Sequence, residues 1–440
     1  MNACSAILAG FLCFSISGVR ALPEVTGTRE TPYQRLVRLR REAKAQTATE
    51  NLSLGPVVAT VPLKLTPIRG TTSLTLLGPQ RRGTTATRPP QIRGIPADVP
   101  PEPVYFTVRV GDKDLTGITY RSVRRPMPVK LFLDTDSDGL FSDETQYVGT
   151  WQRIFKLTRT YYFGTVTTGP GIPGAKAGAF NAQCSDGKWL MCYPAFSREG
   201  AVALEGRRCK MALVDADFDG RYDGRFVPPA RGFREPGCDI LALDLDGDGK
   251  FRFHDDGDSE IVPLCRLVKV GPRYYDMEVA EDGSVATFRR ATPEYGTLDL
   301  GGAEVKMTLW SDVAHQFLQG SRGTWRLPAG RYSAIALELN EEDSGARWTF
   351  EMGKTRSGLL GEFEIRPGES TAVKIGPPFQ IRASMRRYSQ NVSITFDLEG
   401  QAGERYRSLV KKNGAEAPEP SFKIVDRSGR VAHSGRFEYG

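Results

Sequence analysis

Three stretches of this chain run an apolar segment straight into Asp-x-Asp-x-Asp-Gly. They are Asp134-Thr-Asp136-Ser-Asp138-Gly139, Asp215-Ala-Asp217-Phe-Asp219-Gly220 and Asp244-Leu-Asp246-Gly-Asp248-Gly249. This spacing suits a hard cation. Carboxylates at positions 1, 3 and 5 converge on one point, glycine at position 6 permits the sharp turn, and the carbonyl at position 7 (Leu140, Arg221 or Lys250) adds another oxygen. Three aspartates in five residues repel one another, by about 1 kcal/mol per pair at ~4 Å in water and a few times more near a protein surface. A bound divalent ion reverses the sign of that interaction. Calcium is the predicted cofactor, because a flexible cage of many oxygens suits the larger ion. No His/Cys cluster points to zinc.

The closing ligand must differ between the loops. An EF-hand ends its loop with a bidentate Glu at position 12 and lies between helices. Here position 12 is Thr145, Phe226 or Asp255. The runs leading in, Val129-Lys-Leu-Phe-Leu133, Met211-Ala-Leu-Val214 and Ile240-Leu-Ala-Leu243, are short and β-compatible, which predicts strands. In the second loop Asp223 at position 9 completes Asp-x-Asp-x-Asp-Gly-x-x-Asp, which resembles the strand-borne calcium loops of integrin-type β-propellers. The first loop offers Ser142, Asp143 and Glu144, of which Glu144 is expected to reach back. The third offers Asp255 or Asp256, with Arg252 at position 9 a poor ligand. The predicted order of occupancy is second, first, third.

The elements that must position these loops read as an all-β protein: a calcium-loop β-domain followed by C-terminal β-sandwich modules, with one short N-terminal helix. The chain of 440 residues is rich in Gly and Pro, and long helical patterns are few. Residues 1–21 read as a secretory signal, with the apolar run Ala6–Phe14 and small residues at Val19 and Ala21. Residues 22–102 form a basic Pro/Thr/Arg-rich segment and linker. Within it, Thr31-Pro32-Tyr-Gln34 caps a helix that fades near Ala48, Val57–Leu65 is an edge strand because of Pro62, and Thr71–Pro103 is loosely packed loop. Residues 103–292 are the calcium-loop domain, ending in hairpins that turn at Gly271-Pro272 and Glu281-Asp-Gly283. Residues 293–376 and 377–440 are two sandwich modules. There Val305/Met307/Leu309, Ile335/Leu337/Leu339, Trp348/Phe350/Met352 and Val392/Ile394/Phe396/Leu398 alternate with polar residues, the pattern of strands buried on one face.

The net charge of +7 is uneven, with arginine concentrated in residues 22–130 and acid in the loop region. Those arginines are scattered among Thr and Pro without interleaved aromatics, so a solvated or wall-facing segment is expected rather than a nucleic-acid site. No run of about 20 apolar residues predicts a membrane span. Five cysteines follow the leader: Cys184, Cys192, Cys209, Cys238 and Cys265. Either Cys184–Cys192 and Cys238–Cys265 are bridges, or all five are buried thiols.

Two resemblances go further. Trp325-Arg-Leu-Pro-Ala-Gly-Arg-Tyr332 resembles the Leu-Pro-x-Gly-x-Tyr edge of prealbumin-like and carboxypeptidase-regulatory-type sandwiches. Leu213–Asp223, Ala242–Phe251, Val270-Gly-Pro-Arg-Tyr-Tyr275 and Glu281–Ser284 resemble secreted proteins of planctomycete-type bacteria that carry EF-hand-like loops. That resemblance covers about Val129 to Thr292 and implies a secreted calcium-loop protein with no established activity. The expectation is an exported, non-enzymatic calcium-binding β-protein, secreted, periplasmic or at the cell surface, with calcium ions and an extracellular protein or glycan as partners. A carbohydrate- or matrix-binding module is the alternative, with Trp310, Trp325, Trp348 and Tyr332 as a sugar platform. A hydrolase is a third reading. His254, His315 and His433 are its only histidines, and no nucleophile elbow, His-Glu-x-x-His or phosphate loop is present.

Overall fold

The structure, a computed structural model, describes residues 12–14, 52–68, 74, 80–100, 103–110, 113–121, 129–155, 158–167, 179–185, 189–229, 237–253, 259–321, 323–353, 358–388, 391–407 and 409–437. These are all-β, with a short 3-10 turn at Gly358–Gly361 and Leu74 also in 3-10 conformation. The helix predicted after Thr31 lies outside them. Of the predicted leader, only Leu12–Phe14 is described, as a short strand parallel to Ser421–Val425. No helix of the described residues is long and apolar enough to cross a membrane. By internal contacts the chain forms two units: Ser53–Phe226 with Arg231–Thr292, and Met1–Leu52 with Val227–Ala230 and Pro293–Gly440.

The unit that carries the loops holds two cores. An eight-stranded sheet runs in the order Gln80–Gly83, Trp189–Pro194, Ala179–Ser185, Thr158–Thr167, Tyr147–Phe155, Val129–Leu133, Lys113–Arg121, Val104–Val110. Its two ends meet where Thr85 and Tyr105 exchange backbone hydrogen bonds of 2.9 and 2.8 Å. That single bridge nearly closes the sheet into a barrel. Period-two alternation sorts the side chains. Phe106, Val108, Leu131, Leu133, Val166, Phe180 and Leu190 fill the interior, while Tyr105, Ile118, Tyr120 and Phe132 face outward under Ile92 and Phe141. Gly117 is required inside: a Cβ there would lie 2.1 Å from Phe106 Cζ. Asp98 pins the outer cover, accepting from Lys130 Nζ at 2.7 Å and from the Tyr120 hydroxyl at 3.1 Å.

The second core is a β-sandwich. One sheet runs Ile261–Pro263, Ile240–Leu243, Arg207–Val214, Phe196–Leu204, Lys64–Pro67; the other runs Leu267–Val270, Arg273–Val279, Val285–Pro293, Leu52–Pro62. Val202, Met211, Leu213, Leu241, Val268, Met277 and Phe288 meet between them. The predicted hairpins at Gly271 and Gly283 are present. The predicted strand Val57–Leu65 is two strands, because the chain leaves one sheet after Pro62 and enters the other at Lys64. Both are edge strands, the place where Pro is tolerated.

The region expected to be loose from Thr71 to Pro103 is partly ordered. Gln80–Gly83 pairs with the barrel strand Trp189–Pro194, and Ile92 and Asp98 are buried. Nothing in Gln-Arg-Arg-Gly alternates in hydropathy; the strand is defined by its backbone pairing with Trp189–Cys192.

In the other unit, Val305, Met307, Leu309, Leu337, Leu339, Trp348 and Phe350 join Leu398, Tyr406 and Val410 in one core. Residues either side of Gly376 therefore share a single interior. Tyr332 donates to the Pro328 carbonyl at 2.7 Å, which locks the Leu-Pro-Ala-Gly-Arg-Tyr corner. The hairpin Gln380–Tyr388/Asn391–Glu399 departs from expectation. Its alternation is strict, yet Val392 is 51 % exposed and only Leu398, near the strand end, is buried. Phe396 meets the Phe437 ring at 4.6 Å and Ile381 packs against the core, so the face is covered in part only.

Candidate metal centre

The three acidic loops share one backbone conformation. Positions 4 and 6 have positive φ in each: Ser137 and Gly139, Phe218 and Gly220, Gly247 and Gly249. Two hydrogen bonds recur. The position-6 glycine N–H donates to Oδ2 of the first aspartate, at 3.1 Å in Asp134, 2.9 Å in Asp215 and 2.9 Å in Asp244. The N–H of Leu140, Arg221 and Lys250 donates to Oδ1 of Asp138, Asp219 and Asp248, at 2.7, 2.9 and 2.9 Å. Every loop also buries an aromatic at position 8: Phe141, Tyr222 and Phe251. A strand delivers the first aspartate, the glycines turn the chain, and the aromatic returns it to a core.

Carboxylates meet in three groups, each with ligand atoms within 4.8 Å of one another: Asp134, Asp136 and Asp138; Asp215, Asp217 and Asp239; Asp244, Asp246 and Asp248. Such triads could hold metal ions. In the first, Asp134 is 3 % exposed, and its Oδ1 is buried with no hydrogen-bond partner. A buried acceptor without a donor is costly, and a cation beside Asp136 and Asp138 would satisfy it. Burial pushes the Asp134 carboxyl above its usual range, against the pull of the Gly139 N–H. The expected closing residue Glu144 does reach back, but onto Thr135. It accepts from the Thr135 N–H at 2.5 Å and from its hydroxyl at 2.8 and 3.0 Å. It is a strut for the loop backbone. The loop is also strapped from outside, as the Gly139 carbonyl accepts from Arg93 N–H at 2.8 Å. A Cβ on Gly139 would meet the Gln91 carbonyl at 2.1 Å.

The second site is assembled differently from its sequence pattern. Asp215 and Asp217 join Asp239, which is fully buried and accepts from the Gly224 N–H at 2.6 Å. Asp219 lies outside the triad, and Asp223 accepts instead from Arg221 Nε at 3.1 Å. The arginine claims the carboxylate that the spacing assigned to the ion. Burial first, then Asp217 and Asp219, drive the Asp215 carboxyl well above the usual range. This loop also joins two cores. Phe218 enters the barrel interior, edge-on to Phe180 at 6.3 Å, and Tyr222 enters the sandwich core.

In the third loop the triad sits at the opposite end of the same ladder. Arg207–Val214 and Ile240–Leu243 are antiparallel, with Val214 opposite Ile240 and Met211 opposite Leu243. Here Glu260 is the strut, accepting from the N–H of Leu245 at 2.7 Å and of Arg252 at 3.0 Å. Asp255 lies outside the described residues.

Asp239 and Glu260 were missed because they are distant in sequence. Register could have found them. Pairing the two loop-bearing strands antiparallel puts Asp239, just before Ile240, opposite Asp215; Glu260 stands likewise at the head of Ile261–Pro263, beside Leu243. Cys192, Cys209, Cys238 and Cys265 are buried thiols, none in a disulfide. Trp310, Trp325, Trp348 and Tyr332 are all buried, which leaves no face of this set for stacking on a sugar. No protein-family model, curated protein or solved structure matches the chain. Fold and site together define its class: an all-β protein with acidic strand-end loops whose aspartate triads could hold metal ions.

Proposed function

We propose that this chain is an exported calcium-binding β-protein, and that its ions act as structural joints rather than in a reaction. The observation that carries the reading is the second loop. Three carboxylates at the adjoining ends of two strands converge there, between an aromatic inserted in the barrel and one inserted in the sandwich. Ordering that loop orders the contact between two cores. An all-oxygen, multiply charged cage favours calcium over zinc, and favours it over magnesium, which demands stricter geometry. Export, supported by the leader-like N-terminus and the resemblance to secreted planctomycete-type proteins, would set the loops where even weak sites, about 0.1–1 mM, are filled. The test is isothermal calcium titration of the chain lacking residues 1–21, alongside Asp217→Ala. Saturable binding that Asp217→Ala weakens is expected. No heat of binding, and equal melting in calcium and in chelator, would remove the reading.

A further inference from the structure

The third loop contains a cation of its own. Arg252 turns back across the triad. Its NH1 lies 2.9 Å from Asp246 Oδ2, and its other terminal nitrogen bonds Asp248 Oδ2. The position of Arg252 is not left to a free side chain. Its N–H donates to Glu260 Oε2, and the other oxygen of that carboxylate holds the N–H of Leu245 and Asp246. One buried acid therefore shapes the turn and fixes the point from which the arginine leaves the backbone. The other two loops differ. Among the described residues no ion pair reaches Asp136 or Asp138, and Arg221 of the second loop pairs with Asp223 and Glu281, neither of them in its triad.

A guanidinium is charged at every accessible pH and its planar fork spans two carboxylates at once. Tethered in the same loop, it competes at an effective concentration of order millimolar or higher. A divalent ion would have to displace it from two of the three carboxylates the ion needs. We propose that Arg252 is the resident cation of the third loop, closing it without metal and keeping divalent ions out. The loop keeps the turn of its siblings, with the same positive-φ positions and recurring hydrogen bonds, but has exchanged an ion for a side chain. The proposal rests on the calcium reading only for the identity of the ion that is excluded.

The experiment compares calcium stoichiometry by calorimetry in the wild-type chain, in R252Q and in R252Q/D248N. R252Q is expected to bind one ion more than the wild type, and R252Q/D248N to return to the wild-type count, which assigns the added ion to this loop. Arg252 is half exposed, and circular dichroism checks that each variant is folded. Equal counts in the wild type and R252Q overturn the proposal, and so does a wild-type chain that already fills all three triads. The difference between chains is the readout. It reads the same whether the wild type binds two ions or none, and the wild-type count by itself tests the preceding calcium reading.

Discussion

Asp239→Asn isolates the electrostatics of the second site. The substitution keeps the shape and leaves an amide oxygen for the Gly224 N–H, which now meets Asp239 Oδ2 at 2.6 Å. It removes one charge from a triad whose oxygens lie within 4.8 Å. At that separation each like-charge pair costs about 3.5 kcal/mol with an effective dielectric near 20, and the variant removes two of three pairs. Protonation sets a ceiling. Holding one aspartate neutral near pH 7 costs about 4 kcal/mol, so the metal-free wild type takes up a proton rather than bear more. In chelator the variant is therefore expected to be more stable by about 1–4 kcal/mol. In calcium at about a hundred times Kd the wild type gains about 2.7 kcal/mol, and a hundredfold weaker variant gains only about 0.4 kcal/mol. At ~2–4 °C per kcal/mol for a unit of this size, this site's share of the calcium-induced rise in Tm shrinks from about 5–10 °C to about 1–2 °C. Differential scanning calorimetry in calcium and in EDTA measures both numbers. Equal calcium shifts in the two chains, or a variant that melts below the wild type in EDTA, would refute the reasoning.

Two further predictions concern the cores. Gly117→Ala should destabilise the barrel by about 1–3 kcal/mol through overpacking, and Phe106→Leu should recover part of that loss. Strict additivity in a urea-unfolding double-mutant cycle would show that the ring and the glycine do not meet. Glu404, fully buried, accepts from the Gly376 N–H and the Tyr406 hydroxyl, and burial raises its carboxyl above 4.5. The unfolded chain gives up that proton first, so stability should fall as pH rises from about 4.5 through the folded value. Glu404→Gln should reduce this dependence, leaving the slope from the other carboxyls that burial raises, Glu341, Asp134, Glu144 and Asp215; an unchanged profile in urea unfolding between acid and neutral pH would count against it.

What was legible in the sequence was what is local. Each Asp-x-Asp-x-Asp-Gly fixes its own turn, because donors and acceptors lie within five residues, and the strands leading in announce themselves by apolar runs. Closing residues were not legible, because they arrive through register. Glu144 lies ten residues from Asp134 and was found, though not its role. Asp239 lies just before the neighbouring strand Ile240–Leu243 and was not found. Asp223 shows how a correct spacing misleads, since the arginine two residues before it is the nearer cation. The barrel escaped for a related reason. Near-closure is a property of the ring, and Gln80-Arg-Arg-Gly83 enters it by backbone pairing with Trp189–Cys192. In the hairpin at 380–399 the pattern was real but the covering layer it implied is partial, reaching Phe396 and Leu398 and leaving Val392 exposed.

The antiparallel pairing of Arg207–Val214 with Ile240–Leu243 gives the loop region a direction. Its two acidic turns cap opposite ends of one short ladder. If the Asp215 end holds the proposed calcium ion and the Asp244 end its own covalently attached guanidinium, falling calcium would unfasten the ladder from one side only. The end that opens is the one whose turn holds Phe218 in the barrel, so the seam between barrel and sandwich would loosen while the far hem stays sewn.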